Sequence, residues 1–146
     1  MPENVEIERR FLVDGRFERP WVHESTTCIE IKQWYLDQKK FNVSIEHNAV
    51  MYKNKQLVSG LSKEVCSALL QEPDWTVRIR KSHSAYVLTL KGSRKGASAA
   101  EFEWQIERDT AESVVDDLLY PFVEKKRYLW TNTDGFVWEI DEFESN

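Results

Sequence analysis

Antiparallel β structure with a few helices, an α+β arrangement, is the fold class this sequence predicts. Three observations predict it. Seven segments alternate apolar and polar residues with period two, the strand signal. Two stretches carry an apolar face at helical spacing. On six of the seven strands the charged residues gather on one face, largely sorted by sign.

In chain order the strands are expected over residues 4–13, 29–37, 75–81, 84–91, 100–107, 122–131 and 135–143. Turns fall at Lys81-Ser82-His83-Ser84, along Gly92 to Gly96, and at Thr133-Asp134-Gly135, which closes the last hairpin. A helix over 111–119, capped by Asp109 or Thr110, would bury Val114, Val115, Leu118 and Leu119 and stop before Pro121. A second helix over 62–71 would bury Val65, Ala68 and Leu69. Segment 38–60 is polar and mixed, and reads either as a small hairpin or as a mobile loop.

A chain of 146 residues suits a single domain, 1–146, with a core of its own. Its 20 basic residues stand against 25 acidic ones, a net charge of -5. That balance argues against a nucleic-acid or membrane-surface partner, so any polyanion must be held by a local basic cluster. Cys28 and Cys66 lack metal-ligand spacing and read as reduced thiols of a cytoplasmic protein. His23, His47 and His83 are scattered, which disfavours imidazole zinc chemistry. The start, MPENVEIERR, has no apolar signal region.

Alternate residues of a strand share a face. That places Glu6, Glu8 and Arg10 together, opposite Ile7, Phe11 and Val13. Arg78 and Arg80 oppose Val77 and Ile79; Lys91 lies in line with Thr89, opposite Leu88 and Leu90. Glu101, Glu103 and Gln105 oppose Phe102, Trp104 and Ile106. Lys125 and Arg127 oppose Lys126, Tyr128 and Trp130, and Glu139 and Asp141 oppose Trp138 and Ile140. A solvated sheet face would give charges on any one strand, but it needs no sorting by sign. A metal-bound polyphosphate needs both signs: Lys and Arg donors for its oxygens, and carboxylates for a hard cation. The apolar residues would then face outward, under the helices or a partner chain.

The pieces EIERRFLV, Gln33-Trp34-Tyr35-Leu36, Val77-Arg78-Ile79-Arg80, Leu88-Thr89-Leu90-Lys91-Gly92, Glu101-Phe102-Glu103, Glu124-Lys125-Lys126-Arg127-Tyr128 and Trp138-Glu139-Ile140-Asp141-Glu142-Phe143 occur in this order across almost the whole chain. Together they resemble the CYTH domain of the triphosphate tunnel metalloenzymes. Glu6, Glu8 and position 10 match its opening ExExK, with Arg10 in place of the lysine. The resemblance implies an eight-stranded antiparallel β-barrel, a tunnel holding a triphosphate with Mg²⁺ or Mn²⁺. It implies Glu6, Glu8, Glu103 and Asp141 on the metal side, with Glu101 and Glu139 near them. It implies Arg10, Arg78, Arg80, Lys91, Lys125 and Arg127 on the phosphates, and Glu6, Glu8 and Arg10 at the reacting group. Relatives continue with another acidic strand and a final helix. The tunnel is therefore expected to be open after the seventh strand, unless 38–60 or a second copy, as a homodimer, closes it. Trp104, Tyr128, Trp130 and Trp138 are expected to be left uncovered.

The activity this implies is hydrolysis of inorganic triphosphate, or of a nucleoside or thiamine triphosphate. Alternatives are a class IV-type adenylate cyclase and a non-catalytic polyphosphate-binding module. An apolar-ligand carrier fits poorly, since its interior should be apolar. On this reading Glu6→Gln with Glu8→Gln removes two like charges. The double variant is expected to lose metal-dependent turnover while keeping or raising metal-free stability. Phosphate release against metal concentration, with a thermal melt, checks it; turnover at the parent rate would refute the metal assignment.

Overall fold

In a computed structural model of the chain, the described residues are 5–7 as backbone, 10–12 and 18–144. The elements are β1 (Val5–Ile7), α1 (Pro20–Glu24), β2 (Thr27–Tyr35), a 3₁₀ turn (Gln38–Lys40), β3 (Phe41–Ser44), β4 (Ala49–Tyr52), β5 (Lys55–Val58), α2 (Lys63–Gln71), β6 (Thr76–Ser82), β7 (Ala85–Lys91), β8 (Ser98–Ile106), α3 (Arg108–Glu112), β9 (Phe122–Thr131) and β10 (Val137–Phe143). Seven strands form one curled half-barrel sheet in the order β1-β8-β7-β6-β2-β9-β10, and every pairing in it is antiparallel.

The curl shows in the chain path. β1 pairs with β8 at one edge, yet the Phe11 ring lies 6.0 Å from that of Trp138 on β10, the other edge. The four steps from Ile7 to Phe11 span at most about 14 Å. The two edges therefore approach one another, and among the described residues no backbone pairing joins them.

Period-two alternation decides which way the sheet faces. Val77, Ile79, Leu88 and Leu90 are at most 1% exposed on the convex side, and Phe102 and Ile106 lie beside them. Leu69 of α2 and Val50, Tyr52 and Leu57 of the small β3-β4-β5 sheet cover them in one core. Ser62 caps α2 by accepting from the Val65 amide, and the Trp75 indole donates to the Leu69 carbonyl, fixing the helix end against β6.

Segment 38–60, left open by its composition, folds as a three-stranded meander. Lys53 and Asn54 both take positive φ, at 49° and 65°, the signature of a two-residue type I′ hairpin. This meander packs outside the main sheet, so it does not close the barrel.

Two expectations about the helices are corrected. The 111–119 helix is α3 at 108–112, followed by turns. The Asp116 carboxylate accepts from the Leu118 amide, a local bond that replaces helical continuation. Val114 stays buried, but Leu118 and Leu119 are exposed. The tryptophan face of β9 and β10 is not bare, because α1, which the sequence reading omitted, lies on it. Trp21 packs with Tyr128 and Ile140, with Trp130 and Trp138 at the margin. Glu142 anchors α1 by accepting from both Arg19 and the Trp21 indole. Trp104 is half-buried and stacked on Phe102.

The turn after α3 is tied to β2 through Asp117, which accepts from Lys32 and from the Trp34 indole, both at 2.7 Å. The Lys32 and Trp34 hydrogen bonds hold the Asp117 carboxyl below its usual 3.8. That stabilisation is complete above the usual value and is lost as pH falls through the lowered one. Asp117→Asn is therefore expected to lower the melting temperature at pH ~7, with the gap closing towards pH ~2. Leu69→Ala, at a site 2% exposed, is expected to cost about 3 kcal/mol in urea unfolding.

Candidate functional site

The burial of one face leaves the charged residues on the other. Register fixes their neighbours. Tyr35, Arg78, Thr89 and Glu103 form one row across β2, β6, β7 and β8. Val123, Gln33, Arg80, Val87 and Gln105 form the next, starting from β9. Lys125 lies opposite Ile31, and Arg127 lies between Ile29 and Asp141. Lys91 pairs with Glu101. Arg78, Arg80, Lys91, Lys125 and Arg127 thus share the concave face.

Two basic pairs flank β2, and they are held differently. Arg78 and Arg80 reach diagonally over β7, with Nη2 of Arg78 at 3.8 Å from Glu101 and Nη1 of Arg80 at 3.9 Å from Glu103. Both contacts are too long for hydrogen bonds. Arg78 Nε is buried and has no hydrogen-bond partner among the described residues, an energetic debt for a guanidinium. Lys125 and Arg127 are tightly held. Lys125 Nζ donates to Asp141 Oδ2 at 2.8 Å, and Arg127 Nε and Nη2 donate to Oδ1 and Oδ2 at 2.8 and 3.1 Å. Glu139 stands 3.4 Å from Arg127 Nη1.

Burial pushes the Lys125 ammonium down; its bond to Asp141 offsets part of this, while the Arg127 and Arg78 charges add to it. Burial also pushes the Asp141 carboxyl up, but hydrogen bonds from Arg127 and Lys125 outweigh it and hold the group below its usual value. The two partners do not shift as an isolated ion pair would, because Lys125 faces further cations and Asp141 faces two donors. Arg78 is felt at Lys125 across β2, so the two basic pairs share one electrostatic field.

Neutral polar groups missing from the sequence-derived set complete this face. Gln33, buried among the cations, donates its amide to Tyr35 Oη at 2.8 Å. Thr89 is fully buried, with Oγ1 at 3.4 Å from Glu103 Oε1. Strand parity already placed Thr89 in line with Lys91, and Gln33 stands in one of the matching pieces, but being uncharged neither was counted as a site residue.

Of the other expected residues, Arg10 is exposed and lies outside β1, contrary to a strand running over 4–13. Glu6 sits in β1 opposite Ala99, the register position beside Glu101, but its side chain and all of Glu8 lie outside the described residues. Among the described residues no three His, Cys, Asp or Glu side chains gather as a metal site. Glu103, touched at 3.4 Å by Thr89 and at 3.9 Å by Arg80, has hard oxygens that suit a divalent cation. Asp141 spends both oxygens on Lys125 and Arg127. Among the described residues no helix is long and apolar enough to cross a membrane.

No protein-family model matches the chain, and no solved structure matches it. Over 73 residues the chain is 37% identical to an inorganic triphosphatase of Acetivibrio thermocellus, a match covering 49% of this chain and 46% of that protein. The similarity thus spans about half the length of that relative.

Proposed function

We propose that the chain binds a triphosphate on the concave face of its half-barrel and hydrolyses it with a divalent metal, inorganic triphosphate being the first substrate to test. The observation that carries this reading is the buried, unpartnered Nε of Arg78, set among Arg80, Lys91, Lys125 and Arg127 on one concave face. A phosphate oxygen is the acceptor such a donor lacks, and guanidinium groups bind phosphate through charge-assisted bonds. Similarity to an inorganic triphosphatase over half the chain supports the same chemistry.

In this reading Arg78 and Arg80 on one side of β2, and Lys125 and Arg127 on the other, bind and neutralise the polyphosphate. Lys91 and Arg10 complete the set. Water attacks the terminal phosphorus, the bridging P–O bond breaks, and phosphate and diphosphate leave. The basic groups act by stabilising charge that develops on the transferring phosphoryl and the departing oxygen. Mg²⁺ or Mn²⁺ would be held by Glu6, Glu8 and Glu103, and when bound would supply Lewis-acid charge neutralisation and a more acidic water. Glu101, 3.8 Å from Arg78, meanwhile offsets part of the basic charge.

Phosphate release from inorganic triphosphate, ATP and thiamine triphosphate, with Mg²⁺, Mn²⁺ or chelator, tests the proposal. Metal-dependent release from inorganic triphosphate is expected. A cyclic product from ATP would instead favour the cyclase chemistry, and binding without turnover a non-catalytic polyphosphate module. Arg80→Ala deletes one charge-assisted contact of about 2 kcal/mol, so kcat/KM should fall roughly 30-fold with little change in melting temperature. Unchanged kinetics would remove Arg80 from the site.

A further inference from the structure

Asp141 stands among the carboxylates expected to face a metal, and its surroundings suit a different task. It is directly opposite Arg127 in the β9–β10 ladder, and Lys125 is the next residue of β9 on that face. Its side chain is 19% exposed and that of Lys125 only 6%. Three donor contacts of 2.8, 2.8 and 3.1 Å use both of its oxygens. A divalent cation on those oxygens would sit beside an ammonium and a guanidinium, against like charge, and would have to displace bonds already made. Glu103, on β8, has its nearest polar contacts among the described residues at 3.4 Å, from Thr89, and 3.9 Å, from Arg80.

The donor arithmetic favours a supporting role. A lysine has three N–H donors and an arginine five. Asp141 takes one from Lys125 and two from Arg127, so among the described residues the Lys125 ammonium keeps two donors for a second anion. The long side chains of Lys and Arg otherwise carry rotamer freedom that must be given up on binding, and a fixed partner removes that cost beforehand. Asp141 also separates two cations that burial has forced together. From this geometry we infer that Asp141 is a positioning residue for the phosphates, holding Lys125 Nζ and the Arg127 guanidinium side by side, and not a ligand of the metal. The inference rests on the triphosphate reading above.

The test compares the parent chain with Asp141→Asn and Asp141→Glu. Tripolyphosphate binding is measured by calorimetry in chelator, at ~0.15 M and ~0.5 M salt, so that metal plays no part. Removing a negative charge draws any polyanion in through long-range attraction, and salt damps that effect. Loss of positioning remains at high salt. At the higher salt Asp141→Asn should bind about tenfold more weakly than the parent, and Asp141→Glu, which restores the acceptor, should recover most of the loss. In turnover, KM should rise more than kcat falls. The Mg²⁺ concentration for half-maximal activation should stay within about twofold of the parent.

Equal or tighter binding by Asp141→Asn at both salts overturns the inference, as does a tenfold or larger shift in the metal midpoint. If Asp141→Asn fails to fold, Asp141→Glu carries the decision: its metal midpoint must stay near the parent value, and a tenfold shift overturns the inference. A parent chain that binds no tripolyphosphate sinks the triphosphate reading, and the inference falls with it. A parent that binds while the variants show the metal shift sinks only the role given to Asp141.

Discussion

Burial of Val77, Ile79, Leu88 and Leu90 under α2 and the small sheet is the constraint on which the rest of the molecule depends. Side chains of a strand alternate between faces, so fixing these four fixes Arg78, Arg80, Thr89 and Lys91 on the other side. A one-residue slip would bury two arginines in a dry core, at a cost no single-domain stability could absorb. The charged face is therefore locked by hydrophobic packing several ångströms away from it. The cation array needs no attraction of its own to assemble.

Once assembled, the face has to tolerate its own repulsion. It does so by lining basic strands with acidic ones: Glu101 and Glu103 on β8 beside Arg78 and Arg80, Asp141 and Glu139 on β10 beside Lys125 and Arg127. The two sides differ in tightness. Contacts at 3.8 and 3.9 Å leave the β6 arginines loosely held, whereas those at 2.8 Å lock the β9 pair. The donors on β6 and those on β9 are thus held to different degrees. Gln33 and Tyr35, neutral and on one face of β2, lie between the two sets without adding charge.

The outer surface follows a different logic. α1 and the β3-β4-β5 meander are short, and neither would be stable alone. Each is held by buried side chains and polar ties: Trp21 and Glu142 for α1, and Val50, Leu57 and Tyr52, the last with its Tyr120 and Asp37 bonds, for the meander. These pieces cover the convex face of a sheet whose concave face is given over to charge. Apolar packing is thereby concentrated on one side of the half-barrel.

The sequence by itself determined the six strands from β2 and β6 to β10, their facing, the α2 helix, and the sharing of one face by Arg78, Arg80, Lys91, Lys125 and Arg127. All of these follow from local rules: alternation, capping and turn chemistry act over a few residues and survive in the fold. What only the tertiary structure decided depends on partners distant in the chain. Segment 38–60 lacks a long apolar run, and its meander exists because a convex sheet face awaits cover. α1 is five residues long and is selected by the tryptophans of β9 and β10 more than 100 positions away. The 111–119 periodicity favoured a helix, but Asp116 and Asp117 found better bonds in a turn and with β2. The pairing of Asp141 with Lys125 and Arg127, and the unsatisfied Nε of Arg78, were likewise invisible in the chain. Parity tells which side of a sheet a charge lies on; only packing and register tell which charge it meets.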